Sequence, residues 1–197
     1  MKTMGGNPNT IRRVALVHDW LNGMRGGEKV FEVFCEMFPK ATVFTLFYER
    51  DRISDTIRRM NVIESPLARL PGARKRYRWL LPILPLAVER FPTQDFDLVI
   101  STSHCVAKAA RPPRRGLHLC YCFTPMRYIW DQFDQYFPTG HGPAEWGGFV
   151  KSEDWIGLKR SASDWAKRMA MSLARGPLQR WDRRTADRVD AFFADSR

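Results

Sequence analysis

A glycine pair, Gly26-Gly27, stands between an apolar run, residues 13–18 (RVALVH), and a segment with helical spacing that begins at Glu28. Backbone N–H groups at the amino end of a helix bind anions, and glycine leaves room for a phosphate to approach them. The pair therefore indicates a phosphate site, although the same glycines could form a tight turn that only packs strand against helix. The pattern is not GxGxxG, and no Gly-Lys-Ser/Thr follows, which argues against ordinary dinucleotide and P-loop sites.

A second group of polar side chains occupies residues 101–108 (STSHCVAK), directly after another apolar run. Hydroxyl groups, the imidazole of His104 and the ammonium of Lys108 suit the recognition of sugar hydroxyls or phosphate. The alternative is that Ser101 and Ser103 cap a following helix and that His104 has no part in binding.

A third group occupies residues 120–131 (CYCFTPMRYIWD). Thr124-Pro125 ends the predicted strand, so we expect Arg127 and Tyr128 to face the same edge of the sheet as the first two groups. The guanidinium fork of an arginine suits a phosphate or a carboxylate. Alternatively, Arg127 pairs with Asp131 along a helix.

His118, Cys120 and Cys122 alternate along one predicted strand and could suggest metal binding. Successive side chains on one face of a strand diverge, however, and no CxxC or HxxxH pair accompanies these residues. We therefore interpret them as core residues and predict no metal site.

A basic segment precedes the apolar run Trp79-Leu80-Leu81, and no acidic residue interrupts it; its cations are Arg69, Arg74, Lys75, Arg76 and Arg78. Cations next to an aromatic and leucine run are typical of a segment that lies on an anionic membrane surface. The segment and Trp79 are therefore predicted to face a membrane. Two alternatives remain open: a nucleic-acid site, for which no recognition motif is present, and the solvated face of a helix whose other side is core.

Short apolar runs alternate with helical patterns along the chain, and this alternation positions the three polar groups. Predicted strands cover residues 13–18, 41–47, 61–64, 97–101, 117–122 and 191–194. Helical patterns cover residues 28–38, 51–60, 67–91, 103–110, 162–173 and 178–188, with a break at Gly176-Pro177. This order predicts an α/β fold with a doubly wound, mostly parallel, Rossmann-like sheet. Such sheets bind ligands at the carboxyl ends of their strands, where all three polar groups fall.

Length and composition are consistent with one such domain, at residues 13–197, with a flexible N-terminus at 1–12 and a loop or insert at about 138–176. The chain has 197 residues, of which 44% are hydrophobic and 13% aromatic, and this content excludes intrinsic disorder. The longest charge-free apolar run, residues 79–88, is too short to cross a bilayer. A formal net charge of +11 favours an anionic partner. The first ten residues carry no apolar signal region, so we expect a cytoplasmic protein with reduced cysteines.

Six segments, in one order along the chain, resemble the amino-terminal domain of the family-4 retaining glycosyltransferases, and in particular the bacterial mannosyltransferases of surface-polysaccharide assembly. The segments are VALVHDWLNGMRGGEKV, ATVFTLFY, RLPGARKRYRWLLPILPLAVERF, DLVISTSHCVAK, CYCFTPMRYIWDQ and RWDRRTADRVDAFFADSR. Only residues 138–176 contain no stretch similar to that family. The resemblance implies one half of a two-domain glycosyltransferase fold.

The resemblance also implies a cleft for the donor phosphate and the acceptor. Gly26 and Gly27 would be the glycines of the family's first loop and would pack against the diphosphate of the donor or against the acceptor, with Asp19 at the start of the same loop. His104 and Lys108 would stand in the family's Ser-His-x-x-x-Lys segment beside this cleft.

The third part of the implied cleft is the family's Thr-Pro-x-Arg-Tyr loop, which Thr124, Pro125, Arg127 and Tyr128 would form. The family usually has a histidine before the Thr-Pro pair, in the active site, and this chain has Phe123 there. No residue of the chain is therefore assigned a certain catalytic role. The substitution removes a hydrogen-bonding group near the transferred sugar and bears on activity and sugar preference.

The chemistry implied by the resemblance needs no metal ion and no other cofactor. Positive side chains and helix termini stabilise the departing nucleotide, and the acceptor hydroxyl attacks from the front face, so the anomeric configuration is retained. In the family a second domain holds the nucleotide-sugar, and no segment of the 197 residues matches it. Because the chain stops where the family's first domain crosses to the second, we expect a truncated or split gene product without the C-terminal donor domain.

These observations predict the N-terminal domain of a glycosyltransferase that moves a sugar, with mannose favoured, from a GDP-mannose-like nucleotide-sugar to a lipid-linked or polysaccharide acceptor. The domain alone is expected to be weakly active or inactive, and to lie in the cytoplasm or on the inner face of the plasma membrane. Nucleic acid is not an expected partner. The alternative is a non-catalytic peripheral membrane or scaffold protein derived from the same domain.

Overall fold

Six parallel strands form one sheet in the part of the chain that the computed structural model describes, residues 11–136 and 162–194. The strands are β1 (Val14–His18), β2 (Thr42–Thr45), β3 (Asn61–Glu64), β4 (Leu98–Ser103), β5 (Leu117–Cys122) and β6 (Ala191–Ala194). Neighbouring strands pair in the order β3-β2-β1-β4-β5-β6, and every pair is parallel. The predicted α/β fold with a doubly wound, Rossmann-like sheet is confirmed.

The strands are joined by helices, most of them short. The α-helices are α1 (Gly26–Met37), α2 (Asp55–Arg58), α3 (Ala73–Arg76), α4 (Leu84–Val88), α5 (Phe133–Tyr136) and α6 (Ala162–Ala186). Single 3-10 turns lie at Arg50–Arg52, Pro66–Arg69, Tyr77–Leu80, Thr93–Asp95 and Ala107–Ala109. Among the described residues, no helix has the length and apolar character needed to cross a membrane.

Both faces of the sheet are covered, because alternate residues of the central strands belong to two different apolar clusters. Val17 and Phe44 lie in one cluster, and Leu16 and Val43 lie in the other, which Phe31 of α1 completes. This double burial explains why the central strands are apolar at every position rather than at every second one. The polar residues at the strand ends are therefore the ones available to build a site.

Helix α6 corrects the predicted break at Gly176-Pro177, because the helix runs through both residues. A proline inside a helix costs about 3 kcal/mol, since it removes one backbone hydrogen bond. Tertiary contacts on both sides of the proline hold the helix together. Leu178 is buried in the core, and Arg175 Nε donates to the carbonyl of Ile129 at 2.9 Å.

Three other predicted helices are shorter than expected. The helix predicted at residues 51–60 is reduced to α2, Asp55–Arg58, after the turn Arg50–Arg52. The helix predicted at residues 103–110 is reduced to the turn Ala107–Ala109, because β4 extends to Ser103 and Pro112 disfavours a helical backbone at Arg111. The helical region predicted at 67–91 is divided into short elements around Gly72, which has a φ of +73°, and Pro82. Residues 1–10 and 137–161 lie outside the described residues, and with them most of the predicted N-terminal segment and part of the predicted insert; residues 162–176 belong to α6.

Candidate functional site

The strand order places a topological switch point between the carboxyl ends of β1 and β4, where doubly wound sheets have their ligand crevice. From β1 the chain proceeds to β2 and β3 in one direction, and then returns to β4 on the other side of β1. In a doubly wound sheet the loops separate at such a switch point and leave room for a ligand. The loops after β1, β4 and β5 are the three segments in which the sequence predicted binding residues.

Asp19 connects the first two of these loops. Its carboxylate is fully buried and accepts four backbone N–H groups of the loop after β4. Oδ2 accepts from His104 at 2.8 Å and Cys105 at 3.0 Å, and Oδ1 accepts from Val106 and Ala107, each at 2.7 Å. The carboxylate thus fixes the shape of the crevice. It is used by the protein itself, so its role is to position the crevice rather than to contact a ligand.

His18, the last residue of β1, places its imidazole ring at the same end of the sheet, next to Asp19. Its Nδ1 lies 2.6 Å from the hydroxyl of Thr102, and its ring stacks on Phe31 with centroids 4.9 Å apart. Burial lowers its pKa to about 4, so the imidazole is neutral at pH 7. Its Nε2 is buried and has no hydrogen-bond partner among the described residues. A ligand that reached this nitrogen would satisfy it, since a buried unpaired polar atom costs about 1–3 kcal/mol.

Sequence reasoning did not select His18. The signal that could have found it is its position at the carboxyl end of the first buried strand, where ligands of parallel sheets bind. By composition alone, His18 is the last residue of the apolar run RVALVH.

The glycine pair lies in the first turn of α1, beside His18. A Cβ on Gly26 would meet no atom within 4 Å, whereas a Cβ on Gly27 would lie 3.4 Å from the ring of Phe123 and 3.9 Å from His18 Cε1. The backbone N–H of Arg25 donates a hydrogen bond to the Glu28 carboxylate at 3.1 Å. The N–H groups of the two glycines have no partner inside the helix. The helix end is therefore open above Gly26 and partly covered by Phe123 above Gly27.

The residues predicted in the loop after β5 differ in their exposure to solvent. Thr124 is half-buried, and Pro125 and Arg127 are exposed. No carboxylate of the described residues lies within ion-pairing distance of Arg127, so the alternative pairing with Asp131 is not present. Tyr128, in contrast, is 9% exposed and belongs to the core. Arg127 is thus available to an anion, whereas Tyr128 packs in the core and anchors the loop there.

Of the pair predicted after β4, only His104 faces the crevice region. Its ring meets the ring of Trp20 edge-on, with centroids 4.6 Å apart, and its Nδ1 lies 3.2 Å from Asp19 Oδ2. Ser101 does not cap a helix as the alternative reading held: its hydroxyl lies 2.9 Å from His118 Nε2 inside the sheet.

Lys108 has a structural role instead. Its ammonium is buried, lies 2.9 Å from Asp182 Oδ1 of α6 and donates to the Asp182 carbonyl at 2.7 Å. The other carboxylate oxygen of Asp182 accepts from Trp130 Nε1 at 2.9 Å. Lys108 therefore ties α6 to the loop after β4, and Trp130 ties the same residue of α6 to the loop after β5. The sequence could not reveal this partner, because Asp182 lies 74 positions away.

The basic segment lies next to the crevice, because the ring of Tyr77 contacts Trp20 at 4.8 Å between centroids. Arg69 and Lys75 are exposed. Arg74 has a local role, since its guanidinium binds both carboxylate oxygens of Glu64 at 2.7 Å. The side chains of Arg76, Arg78 and Trp79 lie outside the described residues.

His118, Cys120 and Cys122 lie in β5 as predicted, and the first two are fully buried. Burial lowers the pKa of His118 to about 4 and raises the pKa of the Cys120 thiol to about 12. Across residues 11–136 and 162–194, no three His, Cys, Asp or Glu side chains are grouped so that they could hold one metal ion.

The carboxylate of Asp19 gives a first prediction. Asp19→Asn is expected to lower the free energy of unfolding by about 2–4 kcal/mol, because the amide group turns a donor toward backbone N–H donors and loses the charge-assisted hydrogen bonds. Urea unfolding at pH 7 measures this difference. The control is Asp51→Asn, at an exposed carboxylate. A loss below about 0.5 kcal/mol, the range of ordinary surface substitutions, would contradict this role.

The two buried histidines give a second prediction. Above pH 6.5 both imidazoles are neutral in the folded and the unfolded chain. As the pH falls from 6.5 toward 4, the unfolded chain binds protons that the folded chain excludes, because the folded pKa values are about 4. Each histidine is then expected to lower the free energy of unfolding by about 1.4 kcal/mol per pH unit. Urea unfolding between pH 7 and pH 4.5 measures the slope.

His118→Gln separates this effect from the general charge of the chain. The variant is expected to lose about half of the slope attributed to the two histidines. Repeating the series in 0.5 M NaCl screens surface charges and should leave the buried contribution in place. A slope that is the same in the variant and the parent chain would show that His118 is not held neutral.

Comparison with known proteins assigns no family: no family model, curated protein or solved structure matches the chain.

Proposed function

We propose that the chain forms the acceptor-side domain of a retaining glycosyltransferase. The enzyme would move a sugar, with mannose favoured, from a GDP-mannose-like nucleotide-sugar to a lipid-linked or polysaccharide acceptor. One observation carries the proposal. The three segments that resemble that family, separated by up to about a hundred residues in the chain, follow β1, β4 and β5 and meet at the switch point of the sheet. Ligands of doubly wound sheets bind there.

The crevice residues suggest how each group would act. The N–H groups of Gly26 and Gly27, the second partly covered by Phe123, and the exposed guanidinium of Arg127 would bind the phosphate groups of the donor or of a lipid diphosphate. The unpaired Nε2 of His18 would accept or donate one hydrogen bond to a sugar or phosphate oxygen. Positive groups held in place in this way would stabilise the negative charge of the departing nucleotide. A front-face attack by the acceptor hydroxyl would then require no nucleophile from the protein.

In this function the domain would act in the cytoplasm, at the inner face of the plasma membrane, where it would meet a lipid-linked acceptor. The segment 69–86 supports this location. Arg69 and Lys75 are exposed cations there, and Leu70, Ile83 and Leu86 are 50%, 39% and 55% exposed. Exposed aliphatic side chains between cations suit the boundary between anionic head groups and acyl chains.

A second candidate function, a non-catalytic peripheral membrane or scaffold protein, is favoured by Phe123. Its ring covers part of the amino end of α1, where the resembled family has a histidine. In that case the crevice would bind no nucleotide-sugar or glycolipid. Phe123→His discriminates between the two functions, since it is expected to raise sugar binding or transfer only if the crevice is a substrate site.

Gly26→Leu tests the crevice. A side chain at this position has open space, so the free energy of unfolding is expected to change by less than about 1 kcal/mol. The same side chain would occupy the space in front of the helix end. We therefore expect binding of GDP-mannose, or of a short-chain polyprenyl-diphosphate sugar, to weaken at least tenfold in isothermal titration calorimetry.

The matched control is Gly176→Leu, where a Cβ meets only Arg180 Nη1, at 4.0 Å, and the change lies on α6. It should leave the dissociation constants within twofold of the parent values. Binding of either ligand that is equally strong in both variants would refute the crevice as the site. If the unmodified chain binds neither ligand, the glycosyltransferase proposal fails.

The membrane location has a separate test. Co-sedimentation with vesicles that contain phosphatidylglycerol is expected at low salt, and Arg69→Glu with Lys75→Glu should reduce the bound fraction at least fivefold. The control is Arg50→Glu with Arg59→Glu, which changes the net charge equally at exposed positions elsewhere. An equal loss in both pairs would mean that general charge, and not this segment, attracts the chain to the vesicle.

A further inference from the structure

A cleft of about 470 Å³ opens at the amino-terminal edge of the sheet, the edge opposite the crevice. Its walls are the segments that lead into β1, β4 and β5, and it is lined by Arg13, Gln94, Asp95, Phe96, Asp97, Arg114 and Arg115. None of these residues belongs to the candidate site or to the basic segment. The volume lies within the range of small-molecule sites, which is about 300–1,000 Å³.

The turn that carries Arg114 and Arg115 is held rigidly. The hydroxyl of the fully buried Thr93 donates to the Arg111 carbonyl at 2.7 Å, and the N–H of Arg114 donates to the Gln94 carbonyl at 3.2 Å. Gly116 ends the turn with a φ of +154°. A Cβ on Gly116 would lie 1.9 Å from the Asp97 carbonyl oxygen, so only glycine permits this approach.

Asp97 holds the third wall of the cleft. Its Oδ2 accepts the backbone N–H groups of Arg13 at 2.8 Å and Arg12 at 2.9 Å, and these hydrogen bonds keep its pKa below the ordinary value. The carboxylate is thus stabilised by the backbone. The guanidinium of Arg13 lies over the Phe96 ring, with Cζ 4.8 Å from the ring centroid.

The guanidinium groups of this cleft have no ion pairs among the described residues. None of Arg13, Arg114 and Arg115 has a carboxylate oxygen within 4.0 Å, although six arginine–carboxylate pairs are present elsewhere in the described residues. Asp95 and Asp97 are the carboxylates in the lining. The three arginines outnumber these two carboxylates, so the lining carries a net positive charge that an anion would reduce.

We propose that this cleft is a second ligand site, which binds the phosphate groups of a small phosphorylated molecule. Guanidinium forks match phosphate oxygens in pairs, and three forks can hold a diphosphate. The volume leaves room for a nucleoside or sugar attached to the phosphates, and the amide of Gln94 can bind a hydroxyl. The cations line one cleft and not a long stripe, which favours a small ligand over a nucleic acid.

Isothermal titration calorimetry with inorganic pyrophosphate tests the proposal. The titration is carried out on the Gly26→Leu chain, so that the crevice is closed and the remaining binding reports the cleft. We expect one pyrophosphate per chain. Arg114→Ala with Arg115→Ala, added to the same chain, should weaken this binding at least tenfold. Both side chains are exposed, so thermal unfolding should be unchanged.

The control is Arg50→Ala with Arg59→Ala, which removes the same charge from exposed positions at other elements and should change the affinity less than twofold. Three results would overturn the proposal: no binding by the Gly26→Leu chain, an affinity that the Arg114 and Arg115 changes leave intact, or an equal loss in both pairs. The first of these would still leave the crevice and the proposed function open to their own test, since the two sites are titrated separately.

Discussion

The carboxylate of Asp19 is the interaction on which the candidate site depends. An ionised group at 0% exposure would cost several kcal/mol without partners, and four backbone N–H groups offset this cost. Those four N–H groups belong to residues 104–107, so the loop after β4 takes its course from a residue of the loop after β1. The same carboxylate lies 3.2 Å from Nδ1 of His104, whose ring meets the ring of Trp20 edge-on. One buried charge thus sets the shape of the crevice.

The side of the crevice at β5 is stabilised by a second buried charge pair. Lys108 and Asp182 are both about 7% exposed, and Asp182 also accepts the indole N–H of Trp130. Buried pairs of this kind add little net stability, but removing one partner leaves an uncompensated charge. The guanidinium of Arg183 stacks over Trp130 at 4.8 Å from the same helix. Helix α6 is therefore tied to the loop after β5 despite the proline within it.

The two edges of the sheet are polar in different ways. At the carboxyl edge, buried groups such as Asp19 and His18 shape a crevice with few free charges, of which Arg127 is one. At the amino edge, the arginines are exposed, and a rigid backbone holds them around a cleft. The net charge of +11 therefore has local consequences. Among the described residues, arginines without ion pairs lie at both of these edges, Arg127 at one and Arg13, Arg114 and Arg115 at the other.

The sequence by itself determined the strands, their parallel arrangement and the edge at which the polar groups meet, because the alternation of apolar runs and helical patterns is a local property of the chain. It also determined that Gly26 and Gly27 stand at a helix end. Only the tertiary structure decided what the charged residues do. Asp19 and Lys108 were expected to line a cleft, and each is instead engaged by groups 74 or more positions away. Pairing over such distances depends on packing, which no local pattern encodes, and the same packing carries α6 through Pro177 against its intrinsic preference.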